Sequence, residues 1–286
     1  MSTIGGSVGV NGGTPGLAVR QIGTVQRQQA GVFEQLATGL RINRGADDPA
    51  GLISSENLRA VLAELEAESR ALERTRQAAD VADGSLGAIG DLLIEAEALA
   101  VANANEGGLS DAEREANQME INSMLQSGDR LAQRCSFADS PLLRGGASLH
   151  AGDAELSIAS AAVTDLGETE IDGSPYRLSD VGSGGRLDTS REGTSGAAIE
   201  VLREARAEIL RSRGSVGSFV SNTVEPRVAT LGVAIANTAS AESSIRDTDY
   251  AQATAELNRL NLLEAASLTA ATVGTFDPAR ILTLLG

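Results

Sequence analysis

Lysine and tryptophan are both absent from this chain of 286 residues, and aromatic side chains make up only 2% of it. Without lysine there is no P-loop of the phosphate-cradling kind. With so few aromatics, the 42% apolar content falls mainly to Ala, Leu, Val and Ile, which suit close helix packing better than ligand pockets. The single cysteine, Cys135, excludes an internal disulfide framework and a thiolate zinc cluster, and reads as a small buried apolar side chain. The single histidine, His150, cannot supply the paired imidazoles of a zinc protease, and any Ser-His-Asp chemistry would rest on that one ring. There is no Asn-x-Ser/Thr sequon. No run of about 18 apolar residues occurs, so no membrane-spanning helix is expected. The opening Met1 to Gly16 lacks a basic start and an apolar stretch, so no Sec-type signal peptide is expected there.

Positive charge is scarce too. Every basic side chain is an arginine, 23 in all, against 39 acidic residues, for a net charge of −16. That balance argues against a nucleic-acid partner, whose phosphates need clustered cations. It also means that any assembly of copies must overcome self-repulsion through burial. No catalytic, cofactor-binding or metal-ligating residues are expected, and a structural, self-assembling role leads over an enzyme.

What is present is helical patterning. Residues 1–14 are rich in Gly, Ser, Thr and Asn and read as a flexible arm. From Pro15, Ile22, Val25, Val32 and Leu36 fall on alternating three- and four-residue steps, with Gln29 in the intervening slot and Phe33 alongside. Gly39 is placed to end this helix. Arg41 to Ala46 then reads as a connector, with Asp47-Asp48-Pro49 restarting a helix, Asp48 as cap and Pro49 in its first turn. A long helix follows to about Asn105, its later seam running Leu86, Ile89, Leu93, Ala96, Ala100. A third begins at Ser110, with Glu113 as capping-box partner and a seam of Ile121, Met124, Gly128, Leu131, Cys135.

Between about Phe137 and Gly196 the chain turns to Gly, Ser, Asp and short alternating pieces such as Glu155-Leu156-Ser157-Ile158, consistent with hairpins, and His150 there reads as a surface residue. Helix returns with Ile199, Leu202, Ala205 and Ile209, and Pro226 is expected to kink or break it. The last helix carries Tyr250, Ala253, Leu257, Leu260, Leu268 and Ala271, fades at Gly274, and a final turn ends in Ile281 to Gly286. The expected fold is mainly α: a long coiled-coil-like bundle formed by the N- and C-terminal segments, with a small β-containing insert. Its parts are an arm (1–14), terminal helices (15–46 and 247–286), a helical bundle (47–136 and 196–246) and the insert (137–195). Charge separates these parts. Residues 52–84 bristle with Glu, Asp and Arg, whereas Pro15 to Leu40 carries only Arg20, Arg27 and Glu34, so the terminal helices want neighbours on several sides.

The stretches Leu36-Ala37-Thr38-Gly39-Leu40-Arg41-Ile42-Asn43 and Ala46-Asp47-Asp48-Pro49-Ala50-Gly51-Leu52 resemble bacterial flagellin. So do Ile245-Arg246-Asp247-Thr248-Asp249-Tyr250-Ala251 and the closing Ile281-Leu282-Thr283-Leu284-Leu285. The likeness covers about residues 10–145 and 195–286. It implies a subunit of the flagellar filament, a helical homo-polymer for motility, whose terminal helices line the channel (the inner core) while the longer helices form the outer core shell. It implies secretion to the cell exterior, unfolded, by flagellar type III export, with an export chaperone and apparatus, a filament cap and hook-junction proteins as partners. The subunit-packing residues it points to are Leu17, Ile22, Val25, Val32, Phe33, Leu36, Tyr250, Leu257, Leu260, Leu263, Leu268, Ile281, Leu282, Leu284 and Leu285. The connector and cap residues are Gly39, Arg41, Asn43, Asp47, Asp48 and Pro49. Such terminal segments are expected to be largely disordered in the monomer and to fold on assembly.

The chain departs from the flagellin pattern in an arm longer by residues 1–9, in Pro226, and in Glu95 and Glu97, which stand where the family's immune-receptor epitope carries arginines and are expected to weaken that recognition. A hook–filament junction protein is the alternative within the same class. In a different class, the insert could carry adhesion or glycan display.

Overall fold

The computed structural model describes residues 14–105 and 107–274. Helix α1 spans Thr14–Thr38, α2 Pro49–Asn103 and α3 Asp111–Arg134; six short strands and a 3-10 turn (Leu178–Val181) follow. Then come α4 (Ser195–Phe219), a π-helical turn (Val220–Val224), α5 (Glu225–Arg246) and α6 (Tyr250–Gly274). The chain divides into two compact units, one of residues 1–63 with 236–286 and one of residues 64–235.

The 64–235 unit is built on the seam read from α2. Leu86, Ile89, Leu93, Ala96 and Ala100 are all buried, facing Ile121, Met124 and Ala132 of α3 and Val201, Leu202, Ala205 and Ile209 of α4. A methyl on Gly90 would come into ordinary contact with Ile209 at 3.7 Å, and one on Gly128 with Ile89 at 3.9 Å. The α3 seam differs from its expected course at one step. Leu131 is exposed and Ala132 buried, because the core widens to include Leu125 and the stripe follows 121, 124, 125, 128 and 132. The capping box forms: Glu113 donates its amide to Ser110 Oγ at 3.3 Å, and Ser110 donates its own to Glu113 Oε2 at 2.8 Å.

The strands make three antiparallel hairpins, β1 (Ser136–Phe137) with β2 (Ser140–Pro141), β3 (Ala147–Ala151) with β4 (Ala154–Ile158), and β5 (Thr169–Ile171) with β6 (Ser174–Tyr176). Turn chemistry explains them. Asp172 and Gly173 both have positive φ, as a two-residue type I′ loop demands, and so do Ala138 and Asp139. In β3 the exposed His150 is flanked by buried Leu149 and Ala151, so the hairpin lays one face on the helices. Arg227 of α5 clamps its turn, donating to Glu68 Oε1 at 2.9 Å and to Asp153 Oδ1 at 2.8 Å, while Thr75 donates to the His150 carbonyl at 2.8 Å.

Pro226 does not break the helix. The backbone stays helical from Ser195 to Arg246 because an i→i−5 turn, closed by the Glu225 amide on the Val220 carbonyl, takes up the step the proline cannot make. Several buried polar side chains are paired as well, although Arg114 Nε and Arg246 Nε have no partner. Gln118 donates to the Val181 carbonyl at 2.8 Å and accepts the Thr189 amide at 2.8 Å, and Asn103 donates to Thr189 Oγ1 at 2.9 Å. Glu97, on the core side of its helix, is only 13% exposed and is held by Arg203 at 2.7 Å and Arg206 at 3.4 Å. Its charge is therefore neutralised within the subunit, and Glu95 is the one that projects to solvent.

Truncating buried Leu202 to Ala is expected to destabilise this unit by about 2–5 kcal/mol, whereas exposed Leu210→Ala stays within about 0.5 kcal/mol, as read by urea unfolding. Ser110→Ala, which removes the cap, is expected to cost about 1 kcal/mol in the same assay.

Candidate functional site

The residues singled out at the two ends of the chain meet in the other unit. Thr38 ends α1, and Gly39 enters the left-handed region at φ +75°, donating its amide back to the Gln35 carbonyl at 2.9 Å. Leu40 then pairs antiparallel with Asp247. The Arg41 amide donates to the Arg246 carbonyl at 2.6 Å, and the Thr248 amide donates to the Gly39 carbonyl at 2.8 Å. The Arg41 guanidinium adds a bond to the Ile245 carbonyl.

The rest of the connector is closed by its own acidic residues. Asp47 accepts the amides of Asn43 at 3.0 Å and Arg44 at 2.8 Å, and Asn43 donates its side-chain amide to the Leu40 carbonyl at 2.8 Å. Asp48 accepts the Gly51 amide at 2.9 Å, capping α2, and Pro49 stands at the first position, where its missing N–H costs nothing. A side chain on Gly51 would run into Ile42 at 2.7 Å. Ile42 itself is fully buried, and periodicity missed it because it lies outside any helix.

From this closure α1 and α6 run antiparallel, Gln26 and Gln29 meeting Glu264 and Asn261 as Gly39 meets Thr248. Asp249 caps α6 by accepting the amides of Ala251 at 2.9 Å and Gln252 at 3.1 Å. Among the described side chains of the two helices, the buried apolar ones are Val25 (1% exposed), Ala253 and Leu260 (0%). Ile22, Val32, Leu36 and Leu257 are half-buried. Phe33 is 56% exposed, and Tyr250, Leu263 and Leu268 are exposed as well. Leu262, which the seam did not include, is the barest of all at 73%. Ile53 and Val61 of α2 are exposed as well. The side chain of Leu17, together with Ile281, Leu282, Leu284 and Leu285, lies outside the described residues.

Electrostatics within the unit are local. Hydrogen bonds from Gln29 and then Gln26 hold the Glu264 carboxyl below the ordinary glutamate value of 4.5. Arg59 first, then Arg246, do the same for Glu56, which Arg246 reaches at 2.8 Å. Among the described residues no cluster of His, Cys, Asp and Glu could hold a metal ion, and no helix is long and apolar enough to cross a membrane.

A bare, nearly uncharged helix pair clasped by a Gly39 to Asp48 connector has counterparts among known proteins. Residues 17–148 match the bacterial flagellin N-terminal helical region, and residues 199–285 match the flagellin C-terminal helical region. This chain belongs to the bacterial flagellin family. Relatives include a flagellar filament 31.3 kDa core protein of Treponema maltophilum, 27% identical over 93% of this chain and 95% of the relative. A flagellin of Halalkalibacterium halodurans is 27% identical over 94% and 96%, and one of Bacillus subtilis 28% identical over 88% and 91%. A solved structure described as a flagellar hook-associated protein of Vibrio parahaemolyticus superposes with a TM-score of 0.53 at 14% identity, over 70% of this chain and all of that one, which speaks for the fold. Members of this family are structural proteins, and this chain matches both their N-terminal and C-terminal helical regions.

Gly39→Ala is expected to cost about 1–2 kcal/mol, since the left-handed backbone and the Tyr250 hydroxyl 3.0 Å from a new methyl both oppose it. Faster amide exchange at Arg41 and Thr248 checks this. For pH the sign follows from the lowered values of Glu56 and Glu264: their contribution is present above the unfolded glutamate pKa and is lost as pH falls through the folded one. Acid titration followed by α1 and α6 amide exchange should therefore show loosening below about pH 4.5, the ordinary glutamate value.

Proposed function

We propose that this flagellin is a structural subunit that self-assembles into the flagellar filament and serves motility, and that it has no catalytic role. The observation that carries the reading is the state of the terminal helix pair. It buries only a thin apolar seam of its own and leaves Phe33, Leu262 and Leu268 in solvent. An apolar face of this kind, on helices almost free of charge, gains stability when other copies cover it. Relatives named as filament core proteins support the same role over nearly the whole chain. The junction-protein alternative is not favoured, since the relatives matched over most of their length carry flagellin or filament core protein names.

In this reading the pair made by α1 and α6 forms the inner core, the longer helices form the outer shell, and the hairpins of residues 137–195 face outward. Secretion follows the flagellar export route, with a chaperone and the export apparatus acting before assembly and the cap and hook-junction proteins at the ends of the polymer. Because the seam inside one copy is thin, the terminal helices gain most of their order on assembly.

Purified chain seeded with filament fragments should yield long filaments by electron microscopy. The double change Leu262→Ser with Leu268→Ser should lower sedimentable polymer at least about tenfold, equivalent to roughly 1.4 kcal/mol of association free energy, while leaving the unfolding of residues 64–235 unchanged. Normal polymer from that variant would refute the assembly role of this face. Amides around Leu257 to Leu268 that are as protected in the monomer as in the filament would refute folding on assembly.

A further inference from the structure

The helical path from α4 into α5 carries an apolar line that changes phase. At about 3.6 residues per turn, the buried Ala198, Leu202, Ala205, Ile209, Val216 and Phe219 fall on one line. Continued straight, that line would reach Thr223, Arg227 and Thr230. The residues that pack on the core are instead Val224, Val228 and Leu231, each one position later, and Thr230 is exposed. The step lies within the π-helical turn Val220–Val224, where the Glu225 amide reaches back to the Val220 carbonyl. One residue more than an α-helix needs is held there, which turns everything beyond it by about 100°.

Two features hold the extra residue in that place. Moved earlier in the chain, it would turn the buried Val216 and Phe219 off their line. Moved later, past Pro226, it would return the proline to an α-ladder, where its ring meets the carbonyl of Asn222 and its missing N–H leaves that carbonyl without a donor. The next residue, Arg227, is the clamp of the β3–β4 hairpin. It donates to Glu68 Oε1 of α2 at 2.9 Å and to Asp153 Oδ1 at 2.8 Å, and a side chain on Gly152 would collide with its guanidinium. A shift of the extra residue past position 227 would carry Arg227 about 100° round, away from both carboxylates and into the apolar line.

We propose that Pro226 is a positioning residue: it pins the extra residue at Val220–Val224 and thereby aims Arg227 at the β3–β4 hairpin. A residue that ordinarily breaks helices serves here to fix helical phase. The device lies wholly within residues 64–235, so it rests neither on the filament reading nor on the order of the terminal helices.

The test uses the full chain in its soluble form, read by amide exchange at β3 and β4. Pro226→Ala should speed exchange in this hairpin about threefold, the size expected when partly exposed ion pairs are loosened. Arg227→Ala should speed it at least as much. Adding Pro226→Ala to Arg227→Ala should bring no further increase, because both changes act through the same guanidinium. Removing Asn222 from the Pro226→Ala chain takes out the extra residue, so that one straight helix brings Val224, Val228 and Leu231 onto the upstream line with Arg227 beside them. Hairpin exchange should then return to the parent rate. A proline that only weakens the helix predicts the opposite sign, since its replacement would slow exchange. Slower or unchanged hairpin exchange in Pro226→Ala, additive effects of the two substitutions, or an Asn222 deletion that does not restore the parent rate overturns the proposal.

Discussion

The Arg41 amide on the Arg246 carbonyl and the Thr248 amide on the Gly39 carbonyl join segments about two hundred residues apart, and the terminal unit depends on that closure. Loop-closure entropy grows only slowly with loop length, so joining such distant segments is less costly than their separation suggests. Once it is made, α1 and α6 leave the bridge side by side and antiparallel. Gly39 makes it possible by turning the chain through a left-handed conformation, and Asp47 and Asp48 hold the connector so that α2 starts in a fixed place. Their work is to present two helices as one surface.

Arginine is the only cation, and its placement follows from its forked geometry. Arg227 joins Glu68, Asp153 and the Ala151 carbonyl, Arg213 joins Asp83 through two nitrogens, and Arg203 and Arg206 share Glu97. A compact ammonium has no planar fork to bind a carboxylate through two nitrogens in this way. The scarce positive charge is concentrated on tying helices and hairpins together in the 64–235 unit, and the excess negative charge is left on the surface. The terminal helices, with few charges, contribute little to that repulsion.

The terminal pair joins an apolar seam to polar contacts beside it. The seam between α1 and α6 is narrow, with Val25, Ala253 and Leu260 at its centre. Hydrogen bonds from Gln26 and Gln29 to Glu264 and Asn261 run alongside it. The departure at Pro226 follows a related logic, since a local change of ladder lets one helical path run on to Arg246 and deliver it to Glu56.

Much of this was legible in the residues alone. The caps at Ser110, Asp48 and Gly39 and the α2 seam follow from rules that act within a few residues, so they can be read one segment at a time. Burial obeys no such local rule. Whether Leu131 or Ala132 turns inward depends on what α2 and the hairpins place opposite α3, and Phe33 stays in solvent although it lies beside the stripe, because α6 covers only one side of α1. Ile42 is buried without any periodicity, by the close approach that Gly51 permits. The sequence by itself determined where helices start and stop and which faces are apolar. Only the tertiary structure decided which of those faces are already covered, because coverage is set by partners distant in the chain.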